Sequence, residues 1–97
     1  LNGALIGNPR RADALTFRAA AKRFLDDPDG ALIDVKAALE IDLNHSDALL
    51  ERGILRRLKG DDAGARADWL MVLSLAPDGP ASDAARTNLE KMDVKVR

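Results

Sequence analysis

Cysteine and tyrosine are missing from this chain of 97 residues, and aromatic side chains amount to 3%, one tryptophan and two phenylalanines. Without thiols there is no disulfide framework, thiolate nucleophile or cysteine zinc site, and the composition suits a reducing or an oxidising compartment equally. With so few rings, a core has to be assembled from Ala, Leu, Val and Ile, which favours closely packed helices. An excess of either charge is also lacking. Fifteen basic and sixteen acidic residues leave a net charge of -1, so the chain has no global positive field of the kind that nonspecific nucleic-acid binding draws on. No apolar run reaches the roughly 18 residues of a membrane span, and no basic segment leads into an apolar stretch of signal-peptide type. His45 is the single histidine. It has no Ser, Cys or carboxylate company in a hydrolytic or metal-binding pattern. These absences point to a soluble, cytoplasmic or periplasmic, non-catalytic protein with no cofactor, no metal, no nucleic-acid partner and no membrane insertion.

What is present is a repeat. Laying 12–45 over 46–79 without a gap superimposes Asp13 on Asp47, Ala14 on Ala48, Leu15 on Leu49, Arg18 on Arg52 and Arg23 on Arg57. It also superimposes Asp27 on Asp61, Gly30 on Gly64, Ala31 on Ala65, Asp34 on Asp68 and Leu39 on Leu73, so ten of 34 positions are identical. A fixed period of this length marks an architecture in which each unit buries its apolar face only by stacking on a neighbour.

Breakers divide the chain into helices. Asn8, Pro9 and Arg10 form the first break, and Leu1 to Gly7 reads as the tail of a helix belonging to an earlier unit. A helix is expected from Ala12 to Phe24 or Leu25, and a second from Asp27-Pro28 to about Asp42. Aspartate can cap free N–H groups, and proline fits the first turn because it has none to satisfy. A turn at Asn44, His45 and Ser46 precedes a third helix, Asp47 to Lys59, stopped by Gly60 as a C-terminal glycine cap. The fourth is expected over Asp62 to Leu75, ending before Pro77. A fifth opens at Pro80 and reaches about Met92. No segment alternates as a strand would.

The second unit resembles the tetratricopeptide repeat pattern, W-x2-L-G-x2-Y, then A-x3-F, then P. Leu49 stands in place of the Trp, Gly53 matches the small residue where two helices cross, Ala65 and Trp69 match A-x3-F, and Pro77 closes the unit. The first unit is in register, with Ala19, Ala31 and Val35 in the corresponding places and Leu43 where proline is usual. The resemblance is to a bacterial-type fragment of that family. It implies an all-α fold of antiparallel helical hairpins stacked in a right-handed superhelix, as a single domain. Residues 1–11 would be the end of an upstream repeat, 12–45 and 46–79 two repeats, and 80–93 a C-terminal capping helix.

Two departures from the pattern stand out, because Arg52 and Arg56, and likewise Arg18 and Lys22, occupy seam positions. Asp34 and Asp68 each lie sixteen residues after the first arginine of their unit, which predicts two equivalent salt bridges across the hairpins. Such pairs are worth on the order of 0–1 kcal/mol when exposed. Trp69 is expected as a core anchor, His45 as a solvated or capping residue, and the aspartates at Asp26 to Asp29 and Asp61, Asp62 as caps rather than a calcium loop.

The family implies that first helices line a concave wall. Helical spacing puts Leu50, Ile54 and Leu58 side by side, flanked by Glu51 and Arg57, and Thr16, Ala20 and Phe24 likewise, flanked by Phe17 and Arg23. In the terminal helix the same places hold Ala84, Asn88 and Met92. This groove, apolar with an arginine margin, suits an amphipathic or extended segment of a peptide or protein surface that bears some acid groups. Some family members clamp carboxylate tails with Lys and Asn. Here the corresponding sites are Thr16, Ala20, Asp47 and Glu51, so that specialisation is not expected. Two alternatives accompany the scaffold reading. One is a homo-oligomer formed through Leu1, Ala4 and Leu5, and the other is an anion or small-ligand site built on Arg23, Arg56 and Arg57.

Overall fold

A computed structural model of the chain describes residues 9–95, all of whose regular structure is helical. The helices are α1 (Pro9–Phe24), α2 (Pro28–Ile41), α3 (Ser46–Leu58), α4 (Asp62–Leu75) and α5 (Pro80–Lys95). They form antiparallel hairpins, α1 with α2 and α3 with α4. The second hairpin packs on the first through α3, and α5 closes on α4 and α3.

Helix boundaries differ from the sequence expectation at several places. α1 begins at Pro9 rather than Ala12, because a proline at the first helical position gives up no hydrogen bond and is preset for helical φ. Residues 9–11 form the first turn of this helix, and residues 1–8 of the expected upstream segment lie outside the described residues. α3 starts at Ser46 with His45 as its cap, and α5 runs past Met92 to Lys95.

Repeat identities explain the local geometry. Asp27 and Asp61 cap α2 and α4, accepting the backbone N–H of Gly30 and Gly64 at 3.0 and 2.9 Å. A Cβ at either glycine would collide with the capping carboxylate, so aspartate and glycine recur together. The ends of α1 and α3 also match. Asp27 N–H donates to Lys22 C=O, and Asp61 N–H to Arg56 C=O, both at 2.8 Å, with the inner bonds of Asp26 N–H to Arg23 C=O and Gly60 N–H to Arg57 C=O, both at 3.0 Å, beside them. This double closure requires a left-handed residue, which is Gly60 (φ 90°) in one hairpin and Asp26 (φ 65°) in the other.

The core is small-residue packing around one large ring. Ala12, Ala19, Ala31, Val35, Ala38, Ala48, Leu55, Ala65, Val72 and Ala85 have no exposed surface, and Trp69 is 1% exposed. Gly53 lies under the indole, where an added Cβ would come within 2.7 Å of Cδ1 and 2.8 Å of Cε2. The first hairpin solves the same crossing with Ala19 and Val35, moving volume from one helix to the other.

Both predicted salt bridges form. Arg18 meets Asp34 through Nε and Nη2 at 2.9 and 2.8 Å, and Arg52 meets Asp68 in the same way at 3.0 and 2.9 Å. The other two seam cations join them: Lys22 Nζ lies 3.1 Å from Asp34, and Arg56 Nη1 lies 3.2 Å from Asp68. The exposed-pair reading is corrected on one side. The carboxylates are buried while their arginines keep contact with water, so each aspartate depends on its cations for the hydration it has lost. Hydrogen bonding from the Arg18 guanidinium holds the Asp34 carboxyl below its ordinary range, against the opposing effect of burial, and Asp34 in turn raises Arg18.

Candidate interaction groove

Three helices, α1, α3 and α5, share one side of the stack, and the sequence-predicted groove residues other than Arg23 and Phe24 fall into two adjoining hollows along it. Between α1 and α3, Thr16, Phe17, Ala20, Leu50 and Glu51 line a cavity of about 160 Å³ whose edge is formed by Asp13 and Asp47. Between α3 and α5, Ile54, Arg57 and Leu58 share a wider hollow of about 410 Å³ with the Trp69 edge and Asn88. Phe17 and Leu58 are the outward apolar surfaces, 76% and 64% exposed.

The residues are not equivalent in access. Thr16 is buried, its hydroxyl donating to the Ala12 carbonyl at 2.8 Å, so it shapes the floor without offering a free polar group. Leu50 and Ile54 pack partly into the core. Met92, expected on the groove stripe with Ala84 and Asn88, is buried instead. It lies three residues after Leu89 and seven after Ala85, on the stripe of α5 that faces the stack. Phe24 is exposed but lines neither hollow; the Arg23 guanidinium sits 4.8 Å from its ring centroid.

The charge pattern departs most from expectation. Glu51 is buried and held by Arg23, with Nε to Oε2 at 2.5 Å and Nη2 to Oε1 at 3.2 Å. This pair ties α1 to α3, so Arg23 does not supply a free basic margin. Arg56 is committed to Asp68 on the opposite side of α3. The patch of Arg23, Arg56 and Arg57 is therefore not assembled as a set of free cations, and among the described residues Arg57 alone of the three makes no ion pair.

His45 completes the junction. Its Nδ1 accepts the Ala48 N–H at 3.0 Å, capping α3, so the hydrogen resides on Nε2, which lies 2.6 Å from Asp13 Oδ1. The capping role is as expected; the link to α1 is an addition that only the stacking of the hairpins creates. Trp69 is the expected core anchor. Its Nε1 donates to the Leu50 carbonyl at 3.2 Å, an approach that the missing side chain of Gly53 leaves open.

Asp13 is the groove residue that sequence reasoning passed over. Its position four residues before Phe17 and three before Thr16 puts it on the same helical face, a spacing that the apolar stripe alone does not include.

Comparison with known proteins gives a consistent neighbourhood. Over 91 residues the chain is 34% identical to tetratricopeptide repeat protein 36 of Danio rerio, covering 90% of this chain and 49% of that protein. The protein of the same name from Xenopus tropicalis is 38% identical over 102 residues, with 92% and 50% covered. The one from Homo sapiens is 40% identical over 65 residues, with 63% and 34% covered. The chain thus spans about half the length or less of these curated relatives. They come from a fish, a frog and a human, so the bacterial-type expectation draws no support from them. No protein-family model matches the chain. No solved structure matches it significantly.

Proposed function

The chain belongs to the tetratricopeptide repeat family, and from that membership we propose that it is a non-catalytic scaffold holding a peptide or protein surface in the groove across α1, α3 and α5. Residues 12–45 and 46–79 act as the two repeats of this scaffold, and 80–93 as its cap. The observation that carries the reading is the pair of exposed apolar side chains, Phe17 and Leu58, standing over two hollows on one side of the stack. Large apolar groups left in water beside a concavity are the feature by which helical and extended segments are captured. The arginines that would serve an anion site, Arg23 and Arg56, are engaged by Glu51 and Asp68, which favours protein recognition over small-anion binding.

The test is affinity capture on the immobilised chain against a Phe17→Ser, Leu58→Ser variant. Both positions are exposed, so the variant should retain its circular dichroism and melting temperature. A partner identified in the capture, purified, and bound only by the wild-type surface supports the groove. Equal binding of that partner by both forms would place recognition on another face.

A further inference from the structure

The groove carries opposite charge at its two ends, and this restricts what can lie in it. At the α1/α3 hollow stand three carboxylates, Asp13, Asp47 and Glu51. Arg23 neutralises Glu51. His45 is in its neutral tautomer because its Nδ1 accepts a backbone hydrogen, so it bonds to Asp13 without cancelling its charge. Two negative charges therefore remain at this end, on side chains that reach solvent, beside the exposed face of Phe17. Carboxylates next to an aromatic face suit an ammonium or guanidinium, which gains from both the charge and the ring. At the α3/α5 hollow the charged group is Arg57, unpaired among the described residues and accompanied by the Asn88 amide. Between these ends the floor is apolar, from Ala20 and Leu50 to Ile54 and Leu58.

Resting on the groove reading above, we propose that the occupant is an amphipathic segment of another protein. It places a lysine or arginine against Asp13, Asp47 and Phe17, apolar side chains along Leu50 and Ile54, and an acidic residue beside Arg57. The polarity fixes the direction in which the segment lies, because reversing it would set like charges against each other at both ends. This adds a basic group to the expected segment bearing some acid groups, since the free charge at the α1/α3 end is negative.

The probes are two synthetic leucine-anchored helical peptides, one with lysine at one end and glutamate at the other, the second with that lysine changed to glutamate. Isothermal titration at low salt should show the lysine peptide binding about tenfold more tightly, an advantage that shrinks as ionic strength rises. Asp47→Asn should reduce the preference, because Asp13 remains charged, and Asp47→Lys should abolish it. Asp47 is exposed in the first turn of α3, so circular dichroism should show both variants folded. Equal binding of the two peptides overturns the charge assignment but leaves the groove in place, whereas failure of both to bind overturns the groove as well. If light scattering finds a concentration-dependent dimer that Asp47→Lys dissociates, a second copy is the occupant and the proposal fails.

Discussion

Asp34 and Asp68 are the residues at which the sequence speaks most directly. An identical acid at a fixed offset from an identical arginine is what a hairpin needs to repeat the same ion pair, and both pairs form with matching geometry. Legible from spacing were the partners; illegible was the burial of the carboxylates, which depends on how closely α1 and α2, or α3 and α4, approach. Hydrogen bonding from Arg18 gives the first pair a pH signature. Because the Asp34 carboxyl is held below its ordinary value of 3.8, the folded chain releases this proton more readily than the unfolded one. The resulting stabilisation is complete above that value and is lost as the pH falls through the lower folded one. Urea titrations of wild type and Asp34→Asn should therefore differ by a constant amount at neutral pH and converge in acid. A gap that stays the same down to acid would show that the ion pair does not favour the charged carboxylate.

At the scale of elements, the two hairpins answer the same problem with different residues. Gly53 under Trp69 and Ala19 under Val35 divide a similar volume differently between facing helices. Gly53→Ala should destabilise by about 1–2 kcal/mol, since overpacking against the indole outweighs the roughly 1 kcal/mol that alanine gains in helix propensity. In a Trp69→Val background the same change should be neutral or favourable, and the double-mutant cycle should show a coupling well beyond additivity. The sequence pattern named Gly53 as a crossing residue but could not say which atom it accommodates, because that depends on how the two helices are rotated. A second difference lies at the left-handed position closing α1 and α3. Glycine occupies it without strain at Gly60, while Asp26 carries a side chain there at φ 65°. Asp26→Gly should raise stability by about 0.5–1 kcal/mol, read as a higher chemical midpoint. An unchanged or lower midpoint would mean that the Asp26 side chain repays the strain locally.

For the whole molecule, α5 decides whether the stack has an end. Ala85, Leu89 and Met92 are buried, while Asp83, Arg86, Glu90 and Lys91 face water. Arg66 reaches Asp93 at 2.6 Å, and Ser82 donates to the Ala76 carbonyl. Removing everything after Gly79 forfeits the burial of Leu89 and Met92, each worth about 1.5–3 kcal/mol. That is a large share of the 5–15 kcal/mol typical of a folded domain. The truncated chain should melt well below the full one and aggregate through the uncovered face of α3 and α4. A soluble truncation of equal stability would show that α5 is an appendage and not a cap.

Local interactions are what the order of amino acids determined by itself. The caps, the glycine closure at Gly60, the hairpin salt bridges and the 34-residue period depend on residues a few positions apart or on one hairpin repeated, so their signals survive in a linear reading. The joining of hairpins was decided only in three dimensions. Arg23 with Glu51, His45 with Asp13 and Met92 in the core each depend on the rotation and offset of one packed unit against the next. Those quantities set which charges are cancelled at close range and which remain, and hence the polarity of the groove.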